Sequence, residues 1–482
     1  MTPLSFHNKF SCLSQCPGNS GLAHFSHDPI SGDLCDRHSG TATGRPHATR
    51  FPVIELCCHS RAKKRHVRLR RIVLILIGVF GVVINSLGPT PARADTKIIP
   101  TAILSERYDT NVFYAPPALL PPGQRRSDFV STLAGGVQLL HKSRAVEASL
   151  TGGADANAYA YNTGLNYLST TADAYARLDG WVGQFAEGAK LLIAERFRYT
   201  PEQPSFFTGT KAQTLDDPFL RGIQGFRANT FSNTTSATGE LPIFRGLALQ
   251  GSYSFSTYRV GSIVALTSAG AAFFDTNIHT WSVGPGFRLS PVDHVALTYQ
   301  QSLVSQKLTN SGPGIAQDLA YNAQEVSARY TRIMPDWTAT VQGGATLIEP
   351  ASQAFPSATL TVTTNPERST LLRLDLSRRA APSYFFAAGS TISNVAQVAV
   401  SHRLSKRFSL RGSFSYGYNE IVPGKTIKFE NLSALAGLNY NLTRTMSIDL
   451  SYNYNNFTIK QPGTPFEVQR DVVMLSLTAQ WK

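Results

Sequence analysis

The chain has little charge, few cysteines and no long apolar run in most of its length. Only 16% of its 482 residues are charged, against roughly 25% in soluble domains. Its five cysteines all lie at or before Cys58, so the rest of the chain can form neither a disulfide nor a thiolate metal site. After Lys97 we find no extended apolar pattern with the helical period of 3.6 residues. These absences disfavour a helical or soluble body and favour an all-β one.

The positive charge is concentrated at the N-terminal end. Residues 1–94 hold 12 Lys or Arg against 4 Asp or Glu, a net charge of +8 out of the total of +14. The following 388 residues therefore carry only +6. A balance this even over so long a segment does not indicate a nucleic-acid partner, and we predict none.

A secretory signal precedes the weakly charged body. In "RAKKRHVRLRRIVLILIGVFGVVINSLGPTPARAD" a basic segment ends at Arg71, an apolar run covers 72–84, and small residues stand at Ala92 and Ala94. This order is typical of a signal peptide, with cleavage before Asp95. The thirteen apolar residues are fewer than the roughly 20 that a membrane-spanning helix needs. We therefore expect the mature protein to leave the cytoplasm.

The leader divides the chain into three segments. Residues 61–94 are the predicted signal peptide, and residues 95–482 are the exported body. Residues 1–60 show no usable periodicity, so we expect an unstructured extension or a mis-assigned translation start there.

Short turns recur about every 40 residues through the exported body. Their centres are expected near Lys142, Glu187, Ile243, Pro291, Met334, Pro366, Ser405 and Arg444. Two strands before the first turn and two after each turn predict about 18 strands, with 16 as the alternative. The count is weakest from Gln203 to Gly239, where alternation is poor and a pair of strands could be gained or lost. An even number of strands with both termini on the short-turn side is typical of a transmembrane antiparallel up-and-down β-barrel with periplasmic N- and C-termini.

Apolar and polar side chains alternate along these strands. In "MSIDLSYNYN", Ile448, Leu450 and Tyr452 oppose Asp449 and Ser451. The alternating stretches run for about ten residues, which suits a tilted membrane strand. A soluble sandwich or lipocalin-like barrel alternates in the same way. The secretory leader and the Tyr and Trp residues near strand ends favour the membrane barrel.

The last strand carries an assembly signal. Its alternating residues resemble the aromatic-ended final strand that outer-membrane assembly machinery recognises, although Lys482 follows the aromatic residue. These residues are Val473, Leu475, Leu477, Ala479 and Trp481. We expect that machinery, membrane lipid and lipopolysaccharide as partners.

The start of the exported body carries a family resemblance. The stretch "AILSERYDTNVFY" contains Tyr108, Asp109 and Asn111, and "SDFVSTLAGGVQLLHKSRAVEASLTGGADANAYAYNTGLNY" and the hairpin array follow it. This arrangement resembles the outer-membrane β-barrel porins, including barrels associated with exosortase and exopolysaccharide (PEP-CTERM) loci of Gram-negative bacteria. The resemblance implies an outer-membrane barrel with a transport role and no catalytic residues.

A porin-like channel for small or saccharide solutes is the function that these patterns favour. Barrels of 16 to 18 strands leave an aqueous channel. Eight cations against three anions suggest mild anion preference, although such charges would equally serve only to solvate the wall. The expected lumen-lining residues are Lys190, Arg196, Arg198, Arg288, Arg329, Arg373, Arg403 and Arg411, with Glu325, Asp375 and Asp449.

Two other functions deserve comparison with a channel. An enzyme would need a base beside a nucleophile, but the four histidines of the exported body, His141, His279, His294 and His402, show no such pairing. We therefore predict no catalytic residue, no cofactor and no metal. A structural or export component of an exopolysaccharide system is the alternative, in which Tyr159, Tyr161 and Tyr167 would stack on sugars.

A loop folded into the barrel would constrict the channel. The longest candidate segments are Gln203 to Leu220 and Gly261 to Phe274. The sequence leaves open the permeant solute, the oligomeric state and whether any loop lies inside the barrel.

Overall fold

The computed structural model contains one sheet of eighteen antiparallel strands. It describes residues 95–117, 120, 123–201, 227–263, 274–308, 318–349, 353–364, 369–382, 389–422, 427–460 and 466–481. The predicted N-terminal extension and the signal peptide, with Ala92 and Ala94, lie outside these residues.

The strands follow one another around the sheet in chain order. They are β1 (Asp95–Asp109), β2 (Asp128–Lys142), β3 (Glu147–Tyr159), β4 (Tyr167–Arg177), β5 (Lys190–Thr200), β6 (Ala228–Phe244), β7 (Leu247–Ile263), β8 (Phe274–Arg288), β9 (Asp293–Leu308), β10 (Asp318–Ile333), β11 (Trp337–Glu349), β12 (Gln353–Thr364), β13 (Thr370–Pro382), β14 (Ser390–Arg403), β15 (Phe408–Val422), β16 (Lys428–Asn441), β17 (Met446–Lys460) and β18 (Phe466–Gln480). A 3₁₀ turn, Thr163–Leu165, and a short helix, α1 (Asp179–Val182), complete the described elements. Within the described part of the chain, no helix has the length and apolar character needed to cross a bilayer.

The sheet closes on itself through its first and last strands. β1 pairs with β18 from Thr101↔Gln480 to Asp109↔Val472, and with β2 on its other side. Each described strand therefore pairs with two neighbours along at least part of its length, and none of the described strands is an edge strand with a single partner. The predicted closed antiparallel barrel of 18 strands is confirmed.

The two ends of the barrel differ in their connections. Asp95 pairs with Lys142 beside the tight β2–β3 turn, and Gln480 also lies at that end. We call it the short-turn end, and the opposite end the long-loop end. Both ends of the strand series therefore lie at the short-turn end, as expected, and the assignment of this end to the periplasm stays a prediction.

A serine or threonine side chain closes each of four short turns. Ser405 Oγ accepts hydrogen bonds from the backbone N–H groups of Arg407 and Phe408, at 3.2 and 3.1 Å. Ser143, Ser290 and Thr443 make the same kind of contact in their own turns. Because such a side chain replaces a backbone acceptor, it stabilises a tight reversal between two strands.

The strands are longer than the ten residues expected. They span 11 residues in β4 and 17 in β6 and β7. In β17 the outward side chains are apolar or aromatic near the short turn, at Ile448, Leu450 and Tyr452, and polar further along, at Asn456 and Thr458. The extra length therefore lies beyond the apolar belt, at the long-loop end.

The outer face of the barrel is apolar. Leu133 is 65% exposed, Val326 64% and Leu475 53%. Exposed apolar residues at successive outward positions on strand after strand would be costly in water, and they suit a surface that faces lipid.

Candidate functional site

The inner face of the barrel is rich in hydroxyl groups. Ser252 Oγ lies 2.7 Å from Ser282 Oγ, and Thr280 Oγ1 lies 3.0 Å from Ser302 Oγ. Hydroxyl pairs of this kind recur between neighbouring strands from β6 to β11. Since every hydroxyl both donates and accepts hydrogen bonds, these pairs make this part of the wall polar without adding charge.

The structure places all the predicted lumen residues on the inward side of their strands. In β15, for example, the outward Leu410 and Phe414 are 40% and 46% exposed, and Arg411 lies between them in sequence and on the opposite face. The same alternation puts Arg196 and Arg198 of β5, Arg288 of β8, Glu325 and Arg329 of β10, Arg373 and Asp375 of β13, Arg403 of β14 and Asp449 of β17 inside, with Lys190 of β5. Their part in selecting a solute stays a proposal.

An ion pair crosses a whole strand of the inner wall. Arg411 Nη2 on β15 donates to Asp449 Oδ1 on β17 at 2.6 Å, over the intervening β16. The side chain passes over Gly437, where a Cβ atom would lie 2.6 Å from Arg411 Nε. A Cβ atom at position 437 would therefore displace the Arg411 side chain from this path. In the sequence, only the inward register of Gly437 points to this role.

Other lumen cations are also paired with carboxylates. Arg373 Nε lies 2.5 Å from Asp375 Oδ2, and Asp375 also accepts from Thr361. Arg196 Nε lies 3.1 Å from Asp173. We did not single out Asp173 from the sequence, although the alternation in "TADAYAR" would have placed it inside.

Three lumen arginines differ from these pairs. Arg288, Arg329 and Arg403 are exposed, and among the described residues none of them has an acidic partner. Arg329 donates only to the side-chain oxygen of Gln250, at 3.1 Å. All three lie towards the short-turn ends of their strands.

The loop after β1 folds into the barrel. Asp109 is fully buried and accepts hydrogen bonds from Arg470 of β18. Arg470 Nη2 lies 2.5 Å from Asp109 Oδ2, and Arg470 Nε lies 3.0 Å from Asp109 Oδ1. Asn111 is also fully buried, and its side chain both donates to and accepts from the backbone of Ala115. The guanidinium of Arg470 lies 4.4 Å from the ring centroid of Tyr114, whose φ is 54°. The Tyr-Asp-x-Asn element therefore closes the seam between β1 and β18 and shapes the loop that follows.

An apolar pad forms under this loop. Val112 and Phe113, at 0% and 1% exposure, pack against the inward-facing Val130 of β2 and Tyr159 of β3. Arg227, just before β6, donates to the backbone oxygen of Val112 at 3.1 Å and to the Tyr159 hydroxyl at 2.7 Å. The loop is thus held against the inner wall rather than in solvent.

Two of the tyrosines considered for sugar stacking belong to this pad. The guanidinium of Arg227 lies 4.8 Å from the ring centroid of Tyr159 and 5.3 Å from that of Tyr167. Arg125 similarly covers Tyr161, at 4.1 Å. Each cation–π contact covers one face of a ring. Tyr159 is 3% exposed, whereas Tyr161 is still 55% exposed.

A second inward fold lies across the ring from the first. Gly389, directly before β14, donates to Gln306 Oε1 of β9 at 2.9 Å and accepts from the Tyr321 hydroxyl of β10 at 3.1 Å. β9 and β14 are five strands apart in the sheet, so they meet only if one bends across the lumen. Gly389 has a φ of 127°, which glycine adopts without strain.

Apolar contacts confirm the bend. Ile392 and Val422 stand at outward positions of β14 and β15, yet they pack with the inward-facing Val304, Ile348 and Phe355. The long-loop ends of β13, β14 and β15 therefore bend inward, so that their outer face covers the inner face of β9 to β12. This second apolar cluster and the pad under the β1–β2 loop are separated by about half of the strands of the barrel.

The segments that we expected to constrict the channel lie mostly outside the described residues. Residues 203–220 and 264–273 are not described. The two inward folds observed instead involve the β1–β2 loop and the ends of β13 to β15. The sequence did not indicate either, because both depend on partners more than sixty residues away in the chain.

The four histidines of the exported body lie on four different strands. His279 contacts the Tyr253 hydroxyl and His402 contacts Thr370, both on the outer register, while His141 and His294 lie near short turns. Among the residues that the structure describes, no three His, Cys, Asp or Glu side chains are grouped as metal ligands.

A comparison with protein families finds a match over the last six strands. The matching family is described as Putative beta-barrel porin 2. Residues 356–481 match it. The segment covers β13 to β18 and the greater part of β12, including Arg373, Arg411 and Asp449. Over these residues the match agrees with the predicted resemblance to β-barrel porins, and the link to exosortase loci stays a prediction.

Three solved structures show low similarity to this chain. Pseudomonas aeruginosa OccK7 (OpdD) gives a TM-score of 0.40 at 10% identity, covering 81% of this chain and 99% of that one. Pseudomonas aeruginosa OccK2 (OpdF) in complex with glucuronate gives 0.39 at 10% identity, with 80% and 99% covered. Acinetobacter baumannii OccAB4 gives 0.38 at 10% identity, with 81% and 100% covered. A comparison with curated proteins gives no match.

Proposed function

We propose that the protein is a porin-like channel of the bacterial outer membrane, through which small polar or saccharide solutes pass passively. The observation that carries this proposal is a closed barrel of 18 strands with an apolar outer face and a hydroxyl-rich inner face. A soluble barrel would place its apolar side chains inside. Here the polar inner face suits contact with water, and the apolar outer face suits contact with lipid.

The size of the barrel supports an aqueous path. Strands about 4.8 Å apart and tilted by about 40° give a ring of 18 strands a backbone diameter of about 36 Å. Inward side chains cannot fill a space of that width. The two inward folds narrow it at the long-loop end, and we propose that they set the largest solute that passes.

The charge arrangement supports weak selectivity. Arg196, Arg373 and Arg411 each have a carboxylate partner, which cancels most of their field in the lumen. Arg288, Arg329 and Arg403 have none among the described residues. We propose that a mild anion preference arises from these three at the short-turn end, and that the wall otherwise favours uncharged polar solutes.

Liposome swelling tests the proposal. The purified full-length protein, reconstituted in liposomes, should admit neutral mono- and disaccharides at rates that fall with solute size. Liposomes without protein provide the control. If the folded protein admits none of these sugars, the proposal is wrong. An outer-membrane structural or export component remains the alternative. Tyr159 and Tyr167 do not support it, because the Arg227 guanidinium lies over both rings.

A further inference from the structure

The barrel wall is split between β12 and β13 at the long-loop end. These strands pair only from Ala358↔Arg378 to Thr363↔Arg373. Beyond Ala358, β12 stays paired with β11 as far as Gln353, and β13 stays paired with β14 as far as Pro382. The two strands thus separate where β13 to β15 bend inward. β12 stays paired with β11, and β13 stays paired with β14.

An apolar groove lies on the outer surface beside this split. It has a volume of about 460 Å³, and most of its lining residues stand at outward positions. Much of the groove is formed by a row of five residues on β11 to β15, in which each residue pairs with the next one across the sheet. This row is Val341, Leu360, Leu376, Ala396 and Tyr416. Ala358 and Ala396 are small enough to leave the depression between the larger side chains.

One cation stands at the long-loop side of the groove. Arg378 is exposed and follows three outward leucines of β13, at the level where Tyr416 and Tyr418 begin an aromatic girdle. Its Nη1 donates to Asn394 Oδ1 at 2.7 Å, and Asn394 Nδ2 donates in turn to the Tyr418 carbonyl at 3.1 Å. No described acidic side chain pairs with it. The guanidinium is therefore positioned by neutral groups and keeps free N–H donors.

The groove and the cation together fit an anionic amphiphile. An arginine that faces hydrocarbon is costly at the midplane and tolerated near the interface, where it reaches polar headgroups. A guanidinium binds a phosphate through two parallel hydrogen bonds. The lining below Arg378 is apolar and faces the membrane, so it suits an acyl chain and not a sugar.

We propose that this groove binds a phosphorylated lipid of the surrounding leaflet, with an acyl chain along the row from Val341 to Tyr416 and its phosphate on Arg378. The split between β12 and β13 makes room for the acyl chain, because the inward bend removes the part of the wall that would otherwise fill that space. The site lies on the lipid side of the barrel, and its occupation does not depend on what passes through the lumen.

Lipid retention by the purified full-length protein tests the proposal. Native mass spectrometry would count the lipid A molecules that stay bound in detergent, with an uncharged diacylglycerol and inorganic phosphate as separate probes. Arg378→Gln removes the charge, Ala396→Leu fills the groove, and Arg403→Gln is the matched control at an exposed inward arginine. We expect wild type and the control to retain lipid A, and Arg378→Gln to retain about tenfold less, as loss of a charge-assisted contact implies. Ala396→Leu should also retain less, because the added side chain occupies the space of the acyl chain.

Three results would overturn the proposal. Retention of lipid A at the wild-type level by both groove variants, each shown to be folded, would exclude the groove as the site. Equal retention of diacylglycerol would exclude phosphate recognition. Release of lipid A by millimolar inorganic phosphate would show that the groove binds a free anion and is not a lipid-binding site.

Discussion

Breaking the pair between Asp109 and Arg470 should loosen the loop that fills one side of the lumen. Asp109 is fully buried and Arg470 is 4% exposed, with Nη2 and Oδ2 only 2.5 Å apart. Asp109→Ala leaves a buried, uncompensated guanidinium, and loss of one partner of such a pair costs about 3–5 kcal/mol. It also removes the acceptor for the Asn111 N–H, which starts the inward turn.

Two measurements follow this change. Denaturant unfolding of the reconstituted protein should show a loss of free energy of unfolding of about 3 kcal/mol or more, and single-channel recording should show a larger mean conductance with more noise. Asp95→Ala is the matched control, because the Asp95–Lys97 pair is 3.3 Å long with both side chains about two-thirds exposed. Its loss should cost less than about 0.5 kcal/mol.

A double-mutant cycle separates the pair from other effects of each substitution. If Asp109→Ala and Arg470→Ala together cost about as much as either alone, the two side chains act as one unit. A coupling energy below about 0.5 kcal/mol, or an Asp109→Ala channel with unchanged conductance, would refute the claim that this pair holds the loop in the lumen.

Three further predictions concern single contacts. Gly437→Ala should destabilise the barrel by about 1–3 kcal/mol, as measured by denaturant unfolding, and the same substitution in an Arg411→Ala background should cost much less. Arg403→Gln should move the reversal potential in a salt gradient towards cations, whereas an unchanged potential would show that this arginine does not affect selectivity. Tyr321→Phe removes the hydroxyl that binds Gly389, so it should cost about 1 kcal/mol and increase open-channel noise; quiet recordings at wild-type conductance would contradict the role given to that contact.

The alternation of side chains predicted the barrel well because outward side chains must suit lipid and inward side chains must suit water. In β15 and β17, Leu410 and Leu450 face outward and Arg411 and Asp449 inward, as the period of two requires. The turn spacing predicted the strand number for a similar reason, since turns such as that at Ser405 depend on local side-chain contacts. Strand length was underestimated because the strands extend past the belt in which alternation is visible.

The features that shape the lumen depend on contacts between distant parts of the chain. Asp109 lies 361 residues from Arg470, and its pattern in the sequence indicated only a family resemblance. Gly389 meets Gln306 across 83 residues and five strands. Neither contact has a local signature, so the inward folds and the split between β12 and β13 were not predicted.

Single-channel recording of the full-length protein in a planar bilayer tests the central claim most directly. A hydrophilic lumen bounded by two inward folds predicts discrete conductance steps that scale with salt concentration and shrink when a neutral saccharide enters the pore. Insertion of the folded barrel without any conductance step would contradict an open aqueous path through it.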